Sequence, residues 1–443
     1  MEDVSKKSFV QRWWPQRGTH RVWIGIIIIV LVIAGLWLSN KKNNTEDKSK
    51  LTKSDKDQNI SLSDDLPACP ADTSELFTKP FMDGDKPDYI VPLGNSNMEG
   101  HVVPVDHVYP KNNTYQEDTP VYAPGKLTLI WIENKQIFNA NTDEKVAPDY
   151  QLNFAPCRGI NLAFIHLTKL SDKLSEALTQ EVDENCDTSQ KIDFGTRNGA
   201  PIYYITCHPD FKQVTLEPGE LIGYFGFQDT EKPQIGFDIG IYDYIRPALA
   251  FINPDRYYDD TVHTSCFTDY YTPELRAKYN AKFGSIDQQK DGMMSAFIRR
   301  TTEPVCGQVM WDVAGTAAGD WFKNPVQKQN ITDNDALVLI HDNIQPEMAK
   351  MSMAGVTSFV FTPIHSGTIN REFSEVTADG KIYCYQSDNN IMNSDFDKEG
   401  KPVTSGNSKY LLQMVDEGHI KAEAQSGVCG SSETFASPTT YER

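Results

Sequence analysis

The sequence predicts a mainly β-sheet protein with an N-terminal membrane anchor, and three observations lead to this expectation. A single long apolar run lies close to the N-terminus. Beyond it, short apolar segments alternate with turn-forming residues along most of the chain, which is typical of β-strands. All eight cysteines lie after the apolar run, as expected for a folded ectodomain in an oxidising compartment.

The apolar run extends from Val22 to Leu38 and contains no charged residue. As a helix it lies at the short end of what crosses a bilayer. Five basic residues precede it, so residues 1–21 are expected to be cytoplasmic and the rest of the chain extracytoplasmic. A cleaved signal peptide is the alternative, but Leu36 to Asn40 is a poor small-x-small cleavage signal. We therefore expect an uncleaved, single-pass signal-anchor at the cell membrane.

The net charge indicates which classes of partner are disfavoured, and the spacing of the cysteines indicates the redox compartment. A formal net charge of -19 disfavours nucleic acid and anionic lipid as main partners, since no basic cluster is available to neutralise phosphates. The cysteine count is even and includes no Cys-x-x-Cys pair. Disulfides fit this pattern better than zinc ligands, which usually come in close pairs, or than reduced thiols. The pairing cannot be deduced from the sequence.

Composition divides the extracytoplasmic part into four segments. Residues 39–66 are rich in Lys, Asp, Ser and Asn and have no aromatic residue, so we expect a disordered linker. A first β-domain is predicted for residues 67–250, and residues 251–292 are expected to form a connecting segment with a helix. Evenly spaced short strands in residues 293–443 predict a C-terminal antiparallel β-barrel or sandwich.

Two short helices are expected among the strands. Leu170, Leu174 and Leu178 repeat at helical spacing, and Ser171 is placed to cap the first turn. Pro273 to Phe283 begins with proline and Glu274, as a helical first turn should.

Motifs in the first domain succeed one another in an order that is similar to a known family. They are GHVVPVDHVY, TPVYAPGKLTLI, FIHLTKLSD, and LEPGELIGYFG and then IGFDIGIYD. Over about residues 90–243 the chain thus resembles the lysostaphin-type zinc endopeptidases (duplicated hybrid motif), whose β-sheet domain cleaves peptidoglycan peptides. A lysostaphin-peptidase-like β-sheet domain is what this resemblance implies.

The same resemblance implies where a catalytic site would lie. The family's zinc needs three protein ligands and an open position for the water that attacks the peptide. His101 and Asp106 would be the first two ligands, one residue further apart than in the family, and His107 is the alternative to one of them. His166 matches a catalytic histidine, while Asp238 stands where the family has its partner histidine.

The resemblance also implies a damaged site, because Gly240 occupies the place of the third zinc ligand and has no side chain. We therefore expect a peptidase-like pseudoenzyme without a cofactor, in which His101 and His107 are turn residues or line a remnant groove. His166, on an apolar strand, is also consistent with a buried, hydrogen-bonded histidine.

Three functions remain as hypotheses from the sequence. The first is a non-catalytic ectodomain that binds a cell-envelope component, such as peptidoglycan, or an envelope protein. The second is an active zinc endopeptidase acting on peptidoglycan peptides. The third is a carrier of an apolar ligand in the C-terminal barrel. A glycine before Trp321 resembles lipocalins, whose glycine and tryptophan help to close the barrel base, but one such match is common by chance, and a barrel filled by side chains is the simpler expectation.

Overall fold

The computed structural model describes residues 65–97, 101–112, 118–179, 185–197, 199–226, 236–288, 294–323, 335–387 and 408–443. The predicted anchor, Val22 to Leu38, and almost all of the predicted linker lie outside these ranges. Within them, no helix has both the length and the apolar character that a membrane crossing requires. Residues 60–443 form one compact unit.

The described chain is mainly β, as predicted. Its strands are β1 Tyr89–Val91, β2 Tyr109–Lys111, β3 Thr119–Tyr122, β4 Leu127–Asn139, β5 Lys145–Cys157, β6 Ile160–Leu167, β7 Lys169–Leu170, β8 Cys186–Arg197, β9 Ala200–Cys207, β10 Thr215–Leu216, β11 Leu221–Phe225, β12 Asp238–Asp243, β13 Gly284–Gln288, β14 Met294–Arg299, β15 Gly319–Phe322, β16 Ala336–His341, β17 Ala349–Met353, β18 Thr357–Phe361, β19 Tyr383–Tyr385, β20 Ser408–Asp416, β21 His419–Ser426 and β22 Thr439–Glu442.

Helices are short and occupy the connections. The α-helices are α1 Asp172–Ala177, α2 Asp259–Val262 and α3 Pro273–Asn280, and the 3₁₀ turns are Pro254–Arg256, Phe267–Tyr270 and Phe373–Glu375. The predicted cap of α1 is present, since Ser171 Oγ accepts a hydrogen bond from the amide of Leu174. Helix α3 begins at Pro273 as predicted and ends three residues before Phe283.

The first large sheet has the strand order β12-β6-β5-β4-β9-β8, and all its pairings are antiparallel. Strand β10 also pairs with β4. A smaller sheet with the order β3-β11-β7 and the two-stranded pairs β1-β2 and β13-β14 accompany it. Antiparallel bridges join Val108 to Ile239 and Lys111 to Gly236, which brings the segment around residue 107 beside the edge strand β12.

The second large sheet is an eight-stranded, curled half-barrel with the order β18-β17-β16-β15-β22-β21-β20-β19. The last strand returns to pair with β15, where Phe322 faces Glu442. Alternate residues of each strand point to the same side of the sheet. On the inner face, many of these residues have large side chains. Among the fully or almost fully buried ones are Trp321, Phe359, Phe361, Phe373, Tyr385 and Leu412.

The largest of the buried hydrophobic clusters contains residues of both halves of this unit. It contains Phe81 and Phe164 from the first half together with Val338 and Ile340 of β16. Polar contacts also join the two halves, including the 3.0 Å hydrogen bond that Asn343 donates to the carbonyl of Pro92. The two halves thus share their packing, and the division into domains at residues 250 and 293 stays a prediction.

All eight cysteines form disulfides, in agreement with the sequence prediction. The pairs are Cys69–Cys157, Cys186–Cys207, Cys266–Cys306 and Cys384–Cys429. Because each closes a loop within the unit, each reduces the entropy of the unfolded chain.

Arg443 lies over Trp321 of β15. Its guanidinium carbon is 4.0 Å from the centre of the indole ring, and its side chain is 3% exposed. The guanidinium donates to the carbonyls of Thr316 and Ala318, while the indole Nε1 donates to the carbonyl of Ala317. A cation–π contact and buried hydrogen bonds therefore join the C-terminus to β15.

Replacing this arginine tests the arrangement. We expect Arg443→Gln to lower the free energy of unfolding by about 2 kcal/mol, since a charged donor to buried carbonyls is lost. Denaturant unfolding of the purified protein measures the change. The matched control is Arg299→Gln at an exposed position of β14, and equal midpoints for the two variants would contradict the prediction.

Candidate functional site

The candidate site lies where three segments meet at the start of β12. Strand β12 pairs with β6 so that Asp238 faces Ile165, and His166 is the next residue of β6. On the other side, Val108 and Ile239 exchange two backbone hydrogen bonds of 2.9 and 3.0 Å. His107 and His166, which are 59 positions apart in the sequence, therefore approach Asp238 from opposite neighbours of the same strand.

Asp238 is the centre of this site. Its Oδ2 atom lies 3.3 Å from Nε2 of His107 and 3.2 Å from Nε2 of His166. The side chain of Asp238 is 6% exposed, that of His107 is 12% exposed and that of His166 is 26% exposed. The carboxylate is therefore buried and the second imidazole reaches solvent.

A second carboxylate contacts the other ring nitrogen, Nδ1, of each imidazole. Nδ1 of His107 is 3.1 Å from Asp106, and Nδ1 of His166 is 2.9 Å from Asp149. The five residues form a chain of alternating charge, which we call the histidine–aspartate cluster. Its order is Asp106, His107, Asp238, His166 and Asp149.

Electrostatics in the cluster favour protonated imidazoles. Burial alone would lower the pKa of His107, but hydrogen bonds and charge from Asp106 and Asp238 raise it to about 9. Burial alone would also lower the pKa of His166, but charge and hydrogen bonds from Asp149 and Asp238 raise it to about 10. For Asp238, burial opposes ionisation, yet the two imidazoles hold the pKa of this carboxyl far below its usual range.

The backbone at His166 is unusual, because its φ is +68°. This is the left-handed region, which residues other than glycine adopt at an energetic cost. The conformation comes at the end of β6, where the register with β5 shifts between Tyr150 and Leu152. Strain of this kind is concentrated at functional sites.

Gly240 lies two residues beyond Asp238, and the space beside it is filled by a tyrosine. A Cβ atom at Gly240 would be 2.5 Å from the hydroxyl oxygen of Tyr242, whose side chain is buried. Burial, reinforced by the charge of Asp106, raises the pKa of Tyr242 well above its usual value. A neutral phenol thus occupies the place where the resemblance would require a third zinc ligand.

Basic and aromatic side chains line the edge of the cluster. His101 is exposed, and its ring contacts those of His107 and Tyr109 at centroid distances of 5.8 and 6.4 Å. The stem of Lys111 runs directly over Gly236, where any side chain would collide with it. Burial lowers the pKa of Lys111, while the charge of Asp238 acts in the opposite direction.

The residue set does not form a metal site. Across the described ranges, no group of three or more His, Cys, Asp or Glu side chains is arranged to hold a metal ion. In the cluster, both Nε2 atoms instead face one carboxylate oxygen at ion-pair distance.

Four of the five predicted site residues meet in the cluster, namely Asp106, His107, His166 and Asp238. The fifth, His101, lies at its edge. Sequence reasoning missed Asp149 and Tyr242, which come from different strands, and Thr261, which donates a 2.7 Å hydrogen bond to Asp106. Asp149 is an acidic residue in the middle of a long strand, and this is the signal that could have revealed it.

Stability should depend on pH through the two imidazoles. Their folded-state pKa values of about 9 and about 10 exceed the ordinary value of 6.5, so this stabilisation is complete below pH 6.5 and lost as the pH rises through 9 to 10. We expect His166→Gln to be less stable than the natural protein at pH 7 and closer to it at pH 10.5. Denaturant unfolding at both values measures this.

The control for that experiment is His365→Gln, since His365 is 70% exposed and lies in the other half of the unit. A stability difference for His166→Gln that stays constant from pH 7 to pH 10.5 would contradict the assignment of a protonated imidazole.

The contact between Gly240 and Tyr242 makes a second prediction. Gly240→Ala should lower the free energy of unfolding by about 1–3 kcal/mol, because the new methyl group overlaps a buried phenol. Combining it with Tyr242→Phe should recover part of that loss, since the nearest atom is then absent. A double-mutant cycle measures the coupling, and additive losses would show that the two positions do not clash.

No protein-family model, no curated protein and no solved structure matches this chain. The resemblance to lysostaphin-type endopeptidases therefore stays a prediction from the motifs.

Proposed function

We propose that this chain is a membrane-anchored extracytoplasmic binding protein that attaches to peptidoglycan through the surface at the histidine–aspartate cluster. Its first half would be an inactive relative of the lysostaphin-type peptidases. The observation that carries the proposal is the pairing of Asp238 with two imidazoles. These side chains are placed for binding and not for turnover.

Hydrolysis is disfavoured by the protonation of the cluster. A histidine with a pKa of about 9 or 10 is already protonated at neutral pH, so it does not take a proton from an attacking water. A carboxylate with a strongly lowered pKa has no proton to donate to a leaving group. The described residues also lack a three-ligand metal group that could activate water instead.

Binding is favoured by the exposed side of the same cluster. His166 is partly exposed and His101 is exposed, so the faces of these imidazole rings are available to a ligand. The edge of the site adds Lys111 and Tyr109, which lie in cation–π contact. Donors, acceptors and an aromatic face on rigid strands suit the amide and hydroxyl groups of a glycan-linked peptide.

Location outside the cytoplasm is part of the proposal and rests on two features. The apolar run from Val22 to Leu38 is the proposed contact with the lipid bilayer. Four disulfides in the described chain support an oxidising compartment.

An active zinc peptidase is the second candidate, and one observation favours it. Asp106 and Asp149 each hold the Nδ1 side of an imidazole, which is how metal-binding histidines are usually oriented. The carrier hypothesis receives less support, because the inner face of the half-barrel is filled by buried side chains.

Co-sedimentation with isolated peptidoglycan sacculi tests the proposal. We expect the detergent-solubilised protein to bind sacculi without releasing soluble fragments. Asp238→Asn should weaken binding about tenfold, because the two imidazolium groups lose the carboxylate that they share and that holds them together. Asp255→Asn, at an exposed position, is the matched control and should bind normally.

His166→Gln provides a second variant should Asp238→Asn unfold, since His166 lies at the solvent side of the cluster. Absence of binding by the natural protein would refute the binding role. One equivalent of zinc in the purified protein, together with chelator-sensitive loss of sacculus turbidity, would establish the peptidase instead.

A further inference from the structure

A pocket of about 600 Å³ lies at the other end of β12 from Asp238. Asp243, the last residue of the strand, forms part of its wall, and Arg158 enters from the turn between β5 and β6. Its volume is within the range of small-molecule sites. Neither histidine of the cluster lines it.

The pocket is lined by two arginines, Arg158 and Arg246, and we call it the two-arginine pocket. Nε of Arg158 donates a 3.2 Å hydrogen bond to the carbonyl of Leu66. In the parts of the chain that the structure describes, Arg158 has no ion pair with a carboxylate.

Arg246 is held in one orientation. Its Nε lies 3.2 Å from Oδ2 of Asp243, and its Nη1 donates to the hydroxyl of Ser265 at 3.0 Å and approaches Asp269 at 3.3 Å. The guanidinium also lies over the ring of Tyr270 at 5.2 Å. Because these contacts exist without a ligand, little side-chain entropy is lost when one binds.

The walls are preformed as well. The disulfide between Cys69 and Cys157 fixes residues 68–71 beside the turn, and the amide of Arg158 donates to the carbonyl of Pro67 at 3.0 Å. Ile245 packs where Gly159 lacks a side chain and contributes an apolar surface, being 57% exposed. Ala68, Pro70 and Ala71 add further small apolar groups to the lining.

We propose that the two-arginine pocket binds a small ligand that carries a carboxylate or phosphate group next to a small apolar group. Guanidinium groups bind the paired oxygens of both anions through two parallel hydrogen bonds. Asp243 and Asp269 pair with Arg246, which leaves Arg158 as the guanidinium without a carboxylate partner among the described residues. This site is separate from the proposed peptidoglycan-binding surface and does not depend on it.

Calorimetric titration of the purified full-length protein tests the proposal with two matched pairs of probes. N-acetyl-alanyl-alanine is compared with its C-terminal amide, and glycerol 3-phosphate is compared with glycerol. We expect at least one anion to bind more tightly than its neutral partner. The pair that shows the difference identifies the oxyanion as carboxylate or phosphate.

Substitutions then assign the binding to the pocket. Arg158→Gln should weaken anion binding about tenfold, while Arg158→Lys, which keeps the charge and loses the fork, should weaken it less. Arg299→Gln removes an exposed arginine elsewhere and should have no effect. Asp238→Asn should also leave anion binding unchanged, which separates this site from the histidine–aspartate cluster.

Two results would overturn the proposal. One is that neither anion binds more tightly than its neutral partner. The other is that Arg158→Gln and Arg299→Gln bind the anion equally well, with circular dichroism showing that both variants are folded.

Discussion

The burial of one carboxylate organises the first half of this protein. Asp238 is almost inaccessible to water, and an isolated charge in such a place is strongly unfavourable unless it is paired. Two imidazoles from different segments supply that pairing, and each is held by its own carboxylate. The edge strand, its neighbour β6 and the segment around residue 107 are therefore bound to one another by electrostatics as well as by backbone hydrogen bonds.

The same requirement gives the site the residue types of an acid–base centre but pKa values far from neutral pH. Imidazole and carboxylate groups serve as acids and bases when their pKa values lie near the working pH. Here mutual pairing raises the pKa values of His107 and His166 and lowers that of Asp238, which keeps these three groups in their charged forms. The tyrosine that fills the space beside Gly240 completes the difference, because it is buried and neutral.

Local signals were sufficient to predict part of the fold. The capping serine of α1, the proline that opens α3 and the apolar strands around Ile130 and Ile340 could be identified from their own residues. The four cluster residues predicted from the sequence came from motif order. Strand β22, which reads TTYE, has no apolar alternation, and β17 carries a buried Lys350, so their strand character depends on their neighbours.

The remaining features depend on contacts between distant segments. Asp149 becomes part of the site only because β5 pairs with β6 in a particular register. Strand β4 continues beyond the apolar run Leu127 to Ile132 as far as Asn139, since Asn134 and Gln136 are buried in pairings with β5 and β9 on either side. The residue pattern within one segment does not predict which distant segment it pairs with.

The pairing of Phe322 with Glu442 has a consequence for biosynthesis. These partners are 120 positions apart in the sequence. Strand β15 therefore acquires its second neighbour only after Glu442 has been synthesised. Contacts of such long sequence separation form slowly, because the intervening loop must close first. Until then, β15 has an unpaired strand edge during synthesis. Such an edge can pair with another chain, so this interval favours aggregation of the growing protein.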